Sequence, residues 1–338
     1  MKKAFLSVVI PMYNKSLYVA RALDSVLAQD YHSFEVVVVD DGSTDNGASI
    51  VDAYVQKDPR VRLVQQTNSG VSIARNRGMD TASGDYYALL DADDCWETNH
   101  LSEIAALASE YPSAGILGTA YKHSFPSGSN VAIYVAALEG KRGLVDEYFK
   151  YASAGQAICA SSVAIASWAV NSVGGFEPGA RFGEDLDFWA RLALTYPVAY
   201  SGRLTAQYIH GVVGQATSSI PVYYSNCYCK TLELALVDVD QSEERKRFIR
   251  KVGNRSALTV SGNFFSGKSF SRKEWDRYLL ESRILNITNS LVFRMVCLFP
   301  FQTIWKPYFR VSRVFSCRKF LALMGGARVK SGLKFKLC

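Results

Sequence analysis

Residues 8–47 read VVIPMYNKSLYVARALDSVLAQDYHSFEVVVVDDGSTDNG, and their pattern decides the fold. Residues 6–10 and 36–39 are two apolar runs with the length of buried strands. Between them, apolar residues recur at the three- and four-residue spacing of a helix with one buried face. They are Tyr18, Ala22, Leu23, Val26 and Leu27. A strand, a helix and a second strand in this order predict two parallel strands joined by a crossover helix.

The same alternation continues to about residue 90. Residues 61–64 and 86–90 are further apolar runs, and residues 50–55 and 71–79 have helical spacing. Strands that alternate with helices predict an α/β fold, here a doubly wound, mostly parallel sheet with helices on both faces. Sheets of this kind bind ligands in the crevice outside the carboxyl ends of their strands.

The later part of the chain is less regular. Residues 113–118 and 124–130 are rich in small and polar residues and predict loops, whereas residues 185–194 have the pattern of a helix. From residue 226 onward we expect a helical, basic extension. Residues 282–338 carry 11 Lys and Arg and no Asp or Glu, so the rest of the chain is net acidic although the total charge is +7.

The composition restricts the class of protein. Hydrophobic residues make up 49% of the chain and charged residues 20%, which is the balance of a folded globular protein. The seven cysteines are odd in number and scattered, so they indicate cytoplasmic thiols rather than a secreted disulfide framework. The chain has no run of 18 or more uncharged apolar residues, so its sequence predicts no membrane span.

Three acidic clusters fall where such a fold would place a ligand site. They are Asp40 and Asp41 after the second strand, Asp91, Asp93 and Asp94 after the fourth, and Glu184 and Asp185 at the start of the later helix. Any one cluster has an alternative interpretation as turn or helix-cap chemistry. Two clusters at strand carboxyl ends, however, favour a shared site.

These segments resemble the family 2 glycosyltransferases, which have the GT-A fold. The resemblance rests on residues 8–47, on NSGVSIARNRGMDTASGDYYALLDADD at 68–94, on VGGF at 173–176 and on GEDLDFWARL at 183–192. Several motifs in matching order are far more specific than one short pattern. The resemblance implies an inverting enzyme that moves a sugar from a nucleotide diphosphate, a UDP-sugar, to a hydroxyl of a glycan or lipid-linked acceptor in cell-surface polysaccharide synthesis.

The resemblance, together with the charge pattern of the later residues, predicts a division of the chain. Residues 1–225 would be the catalytic domain, with a nucleotide-binding half at 1–115 and an acceptor half at 116–225. Residues 226–338 would be a C-terminal helical, basic region that associates with the membrane.

For the donor site, the resemblance places Pro11, Tyr13 and Asp41 around a uracil, with Asp40 adjacent and Arg75 along the nucleotide. An aromatic face stacks on a base, and a carboxylate accepts hydrogen bonds from the ring N–H or the ribose hydroxyls. An arginine beside a diphosphate offsets part of its negative charge.

The DADD stretch corresponds to the D-x-D motif of the family. Asp91 would face the ribose or the metal, and Asp93 would hold Mn²⁺ or Mg²⁺ against the diphosphate, since both cations prefer oxygen ligands. His210, in YIHG, resembles a histidine that reaches the metal or the diphosphate. A single histidine is equally well explained by a structural role.

In the ED motif of the family the aspartate is the general base, which makes Asp185 the catalytic residue and Glu184 its support. A base removes the proton of the acceptor hydroxyl as the oxygen attacks the anomeric carbon. The alternative interpretation is that both acids only favour a helix N-terminus.

Two other functions remain open at this point. A nucleotidyltransferase that makes sugar nucleotides would carry a Gly-rich basic loop after the first strand, and residues 11–16, PMYNKS, contain no glycine. A catalytically silent binder of sugar nucleotides would keep the same motifs. No nucleic-acid partner is expected.

The end of the chain mixes apolar and basic side chains. Residues 286–338 interleave Leu, Val, Phe and Trp with Lys and Arg, which is typical of interfacial helices on an anionic surface. We therefore expect a peripheral enzyme on the inner face of the cell membrane. The alternative is that this segment packs on the catalytic domain.

Overall fold

A computed structural model describes residues 3–180, 183–214, 226–253 and 333–337 of the protein. Within these residues the strands are β1 (Leu6–Met12), β2 (Phe34–Asp40), β3 (Val61–Gln65), β4 (Tyr86–Leu89), β5 (Cys95–Trp96), β6 (Ile116–Ser124), β7 (Asn130–Val135), β8 (Arg142–Leu144), β9 (Val163–Ala166), β10 (Val198–Ile209) and β11 (Leu333–Leu337). The α-helices are α1 (Val19–Leu27), α2 (Gly47–Val55), α3 (Val71–Thr81), α4 (His100–Glu110), α5 (Tyr148–Ala154), α6 (Ser167–Val173), α7 (Glu184–Thr195) and α8 (Asn226–Val237). Residues 243–253 are also helical.

One sheet contains all the described strands, and its first half has the predicted parallel topology. The order β4-β1-β2-β3 is parallel throughout, with Pro11 of β1 paired to Val39 of β2. Strands β1 and β2 are almost completely buried because helices cover both of their faces. Helix α1 turns its apolar residues, Val19, Ala22, Leu23 and Val26, toward the core.

The second half of the sheet is mixed rather than parallel. Strand β9 runs antiparallel to β4 and β6, and β7 runs antiparallel to β6, whereas β10 is parallel to β6. The predicted loop at 124–130 is the hairpin between β6 and β7, closed by a hydrogen bond from Phe125 N to Ser129 O of 3.0 Å. So short a connection can join only antiparallel strands.

Two local predictions were wrong. Residues 116–118 belong to β6 and not to a loop. A Cβ on Gly118 would lie 2.6 Å from Ile158 Cγ2, so this glycine marks close packing within a strand rather than a turn. Residues 333–337, expected in the helical extension, form β11 antiparallel to β7. Their sequence, LKFKL, alternates with the period of a strand.

Helix α8 is joined to the rest of the fold through a small second core. Tyr228 and Leu232 of α8 pack with Phe149 of α5 and Ala190 of α7. Among the described helices, none combines the length and the apolar character needed to cross a bilayer. The predicted membrane-associating segment at 286–338 lies outside the described residues except for β11.

Candidate functional site

The loops after β1 and β2 are tied together at the carboxyl edge of the sheet. Asn14 adopts a left-handed conformation with φ of 52°, and its Oδ1 accepts a hydrogen bond of 2.8 Å from Thr44 N. Its own backbone N donates to Ser43 Oγ at 3.0 Å. This arrangement leaves the Tyr13 side chain 47% exposed beside the crevice, whereas Pro11 is buried within β1. An exposed aromatic face of this kind is able to stack on a base.

Asp40 and Asp41 are both buried and have structural partners. Asp41 Oδ1 accepts from Gln66 Nε2 and Ser69 N, and its Oδ2 accepts from Gly70 N, each at 2.8 Å. Asp40 Oδ1 accepts from Ser43 N at 3.0 Å. The two carboxylates therefore shape the loops before α2 and α3, and their contact with a base or ribose stays a prediction.

The glycine that follows this pair is required by the close approach of two loops. Gly42 has φ of +73°, and a Cβ there would lie 2.8 Å from Asn68 N. Any other residue would be strained in this conformation and would push the loop before α3 away.

Arg75 is the point at which two of the acidic clusters meet. Its Nη2 contacts Asp91 Oδ1 at 2.8 Å, and its Nη1 contacts Glu184 Oε1 at 3.0 Å. The guanidinium is 4% exposed and lies over the Phe176 ring, 5.1 Å from its centre. Burial alone would lower the pKa of Arg75, but the charges of Asp91 and Glu184 outweigh it and raise the pKa above its ordinary value. Arg75 thus joins the end of β4 to the start of α7.

Asp93 and Asp94 lie on the other side of the same loop. Asp93 Oδ2 accepts from Lys15 Nζ at 2.7 Å. Asp94 is buried and accepts from Ser161 Oγ at 2.5 Å and from Ile209 N at 2.9 Å. Burial and the charge of Asp91 raise the pKa of both carboxyl groups. The site therefore carries more negative charge than its neighbouring cations neutralise.

Asp185 lies in the first turn of α7, after Gly183 in the left-handed conformation. Its Oδ1 accepts from Leu186 N at 2.8 Å. Burial and the neighbouring charge of Glu184 raise the pKa of Asp185 to about 7, although Arg75 acts in the opposite direction. A carboxylate with a pKa near neutrality has the proton affinity that a general base needs.

The VGGF segment is held in place from two sides. Asn76 of α3 donates to Phe176 O and accepts from Phe176 N, both at 2.8 Å. Arg191 of α7 donates to Gly175 O at 2.7 Å and to Val173 O at 2.9 Å. The clamp fixes the Phe176 ring beneath Arg75 and so supports the carboxylates that Arg75 holds.

His210 follows β10 and is paired with a second histidine. Its Nε2 lies 2.8 Å from His123 Nδ1, and its ring stacks on Phe125 with centres 4.3 Å apart. Burial lowers the pKa of both imidazoles, that of His123 to about 4, so the pair is neutral near pH 7. A contact of His210 with metal or diphosphate stays a prediction.

The chemistry of the acidic loop fits a divalent cation. Carboxylate oxygens suit Mn²⁺ and Mg²⁺, and burial together with the charge of Asp91 raises the pKa of Asp93 although Lys15 lies beside it. Within the described residues, no three His, Cys, Asp or Glu side chains are grouped as a metal site. The chain would therefore supply few ligands, Asp93 first among them, and phosphate oxygens would supply others.

The structure brings most of the predicted residues to one edge of the sheet. Arg75 links Asp91 to Glu184, beside Asp185. Sequence reasoning missed Lys15, Asn76, Phe176 and His123 as parts of the site. Lys15 had a usable signal, because it lies in the loop that follows the carboxyl end of β1, whereas the other three depend on contacts between distant segments.

Part of this chain is similar to known sequences. Residues 7–157 match the family described as glycosyl transferase family 2. The glycosyltransferase GlyG of Streptococcus pneumoniae serotype 4 is 35% identical over 131 residues, which are 38% of this chain and 43% of GlyG. The matched stretch thus spans less than half of that curated relative.

Solved structures share the fold. S. aureus TarS 1-349 in complex with UDP-GlcNAc superposes with a TM-score of 0.63 at 23% identity, over 83% of this chain and 80% of that one. The mannosyltransferase PcManGT from Pyrobaculum calidifontis, in complex with GDP-Man and Mn²⁺, gives 0.56 at 16% identity over 92% and 84%. Residues 7–157 are therefore similar to glycosyl transferase family 2, and the chain shares the GT-A fold of these solved structures.

Proposed function

We propose that this protein is an inverting, metal-dependent glycosyltransferase. The observation that carries the proposal is the position of Asp185, a carboxyl group with a pKa of about 7 beside the carboxylates held by Arg75. A base of suitable proton affinity thus lies next to an acidic loop at the carboxyl edge of the sheet, where this fold binds its ligands.

The reaction follows from this arrangement. Asp185 accepts the proton of the acceptor hydroxyl while that oxygen forms a bond to the anomeric carbon of the donor. The bond from this carbon to the phosphate oxygen breaks, and its electron pair leaves with the nucleoside diphosphate. Because attack and departure occur on opposite faces of the sugar, the anomeric configuration inverts. Glu184, fixed by Arg75, keeps the start of α7 in position and raises the proton affinity of Asp185.

Asp93 would hold Mn²⁺ or Mg²⁺ against the donor diphosphate, with His210 as a further contact. The cation supplies Lewis-acid stabilisation of the negative charge that develops on the leaving diphosphate. Pro11, Tyr13, Asp40 and Asp41 would surround the base and ribose. The exposed Tyr13 ring and the buried acids after β2 suit this part of the donor.

We favour a UDP-sugar as the donor, in keeping with the UDP-GlcNAc bound to the structurally similar TarS. The acceptor would be a hydroxyl of a glycan or a lipid-linked glycan in surface polysaccharide synthesis. An anionic membrane surface would be the second partner, through the basic residues of 282–338. The enzyme would then work as a peripheral protein on the cytoplasmic face of the membrane.

A screen of nucleotide sugars with Mn²⁺, with and without a panel of lipid-linked acceptors, tests the proposal. We expect nucleoside diphosphate release that depends on an acceptor, and a product whose anomeric configuration is opposite to that of the donor. Pyrophosphate release from a nucleoside triphosphate and a sugar phosphate would indicate a nucleotidyltransferase instead. Donor binding without turnover with any acceptor would indicate a silent binder.

A further inference from the structure

Lys15 occupies a central position that the proposed reaction does not yet use. Its ammonium contacts Asp93 Oδ2 at 2.7 Å and the carbonyl oxygen of Gly214 at 3.1 Å. The Lys15 and Asp93 side chains are only 13% and 14% exposed, so the pair is shielded from water. Lys15 thus connects the loop after β1, the acidic loop after β4 and the segment after β10.

The segment that carries Gly214 has a second attachment, just before the start of α1. Val213 N donates to Tyr18 Oη at 3.0 Å, and Tyr18 immediately precedes α1. The position of residues 211–214 therefore depends in part on where the Lys15 ammonium lies.

The charges around Asp93 favour exchange of its partner. Five carboxyl groups lie close enough around the acidic loop to interact through their charges, those of Asp91, Asp93, Asp94, Glu184 and Asp185. Arg75 is engaged by Asp91 and Glu184, and the Arg21 guanidinium donates to the backbone carbonyl of Asp93, at 2.6 Å, rather than to its carboxylate. Among the described residues, Lys15 is therefore the cation that directly neutralises the Asp93 carboxylate.

We propose that Lys15 and the divalent cation compete for Asp93, and that Lys15 moves onto the donor diphosphate when the cation binds. A shielded carboxylate is costly to leave unpaired, so Lys15 holds Asp93 until the cation replaces it. A lysine has a flexible four-carbon stem and donates well to phosphate oxygens, which suits a change of partner. The exchange also breaks the contact with Gly214 O and so frees residues 211–214 on one side.

The inference rests on the proposed function of the acidic loop. The test uses the full chain, with K15M to remove the charge while keeping most of the stem. K57M is the matched control, because Lys57 is exposed and follows α2 away from the crevice. Mn²⁺ affinity is measured without nucleotide by electron paramagnetic resonance, and UDP affinity is measured calorimetrically with Mn²⁺ present.

We expect opposite shifts in K15M. Mn²⁺ should bind about tenfold more tightly, because its competitor is gone, whereas UDP with Mn²⁺ should bind about tenfold more weakly, because a charge-assisted hydrogen bond is lost. Amide hydrogen exchange at residues 211–214 should also be faster in nucleotide-free K15M than in the wild type. K57M should resemble the wild type in all three measurements.

Weakening of both affinities in K15M would mean that Lys15 only maintains the structure, and would overturn the inference. An unchanged Mn²⁺ affinity would do the same. In both cases the proposed function would survive if the wild type still binds UDP and loses it in EDTA. UDP binding by the wild type that is indifferent to Mn²⁺ would instead contradict the metal dependence itself.

Discussion

Replacement of Asp185 by asparagine should lower activity and raise stability at the same time. Asparagine keeps the size of the side chain, and its Oδ1 is able to accept the hydrogen bond from Leu186 N. Asparagine cannot take up the proton of the acceptor hydroxyl at neutral pH, so the rate of sugar transfer should fall by a factor of about 10² to 10⁴. UDP affinity should be unchanged, because the only hydrogen bond described for the Asp185 side chain is to its own helix.

The stability effect follows from the raised pKa. Asp185 has a pKa of about 7 in the folded protein against an ordinary value of 3.8, which at 1.36 kcal/mol per pKa unit sets an upper bound of about 4 kcal/mol. The interaction of Asp185 with the charge of Glu184 and the partial exposure of its side chain reduce this upper bound, and we expect a change in the free energy of unfolding of about 1 to 2 kcal/mol. The fold favours the protonated form, so this stability is present below pH 4 and is lost as the pH rises to about 7. The asparagine variant has no such loss.

Thermal unfolding at pH 5 and pH 8 measures this effect. The variant should melt about 2 to 8 °C above the wild type at pH 8, and the difference should be smaller at pH 5. D52N, which alters an exposed carboxylate on α2, is the matched control and should leave both activity and melting unchanged. A melting difference that is independent of pH would refute the reasoning about burial. Full transfer by D185N together with a dead E184Q would show that the base is the other carboxylate.

Three further predictions address other parts of the site. Asp93→Ala should nearly abolish sugar transfer, and EDTA should do the same, because a bound metal stabilises the negative charge that develops on the leaving diphosphate by several kcal/mol. Full activity in EDTA would contradict this. Asn76→Ala leaves the backbone N–H and C=O of Phe176 without their partners, so the free energy of unfolding should fall by about 2 to 4 kcal/mol and the melting temperature with it. The value of kcat should also fall, because Arg75 loses its support. A variant with the melting temperature of the wild type would refute the clamp. Glutamine substitutions should weaken sedimentation with anionic vesicles when they replace Arg294, Lys306, Arg310 and Arg313, because each basic residue near the surface contributes about 1 kcal/mol of binding free energy. High salt should weaken vesicle binding by the wild type likewise. Salt-insensitive binding would argue against an electrostatic membrane contact.

The order of elements in the first 90 residues is determined by the sequence alone. The apolar runs are separated by segments long enough to form a crossover helix. A strand that is buried on both faces needs a nearly continuous run of apolar residues, and the chain has such runs at these positions. The position of the acidic clusters at strand ends is equally local information, because DD stands at the end of β2 and DADD follows β4 closely. These features needed only neighbouring residues and the general rule for ligand sites in such sheets.

The second half of the sheet was decided by tertiary contacts. Whether Gly118 marks a turn or a strand depends on Ile158, forty residues later, which leaves no room for a Cβ. The pairing of residues 333–337 with β7 likewise joins segments about two hundred residues apart. A local pattern cannot report such contacts, because the free energy that selects them comes from packing between distant segments.

The electrostatics of the site also depend on the folded structure. The sequence places Arg75, Asp91 and Glu184 up to 109 positions apart, and only folding brings them into one buried group. The raised pKa of Asp185 arises from that burial and from the charge of Glu184, and the pairing of Lys15 with Asp93 arises from the meeting of two loops. The residue types were thus readable in the chain, but their charges and partners were not, because desolvation and Coulomb interactions depend on distances that only the tertiary structure sets.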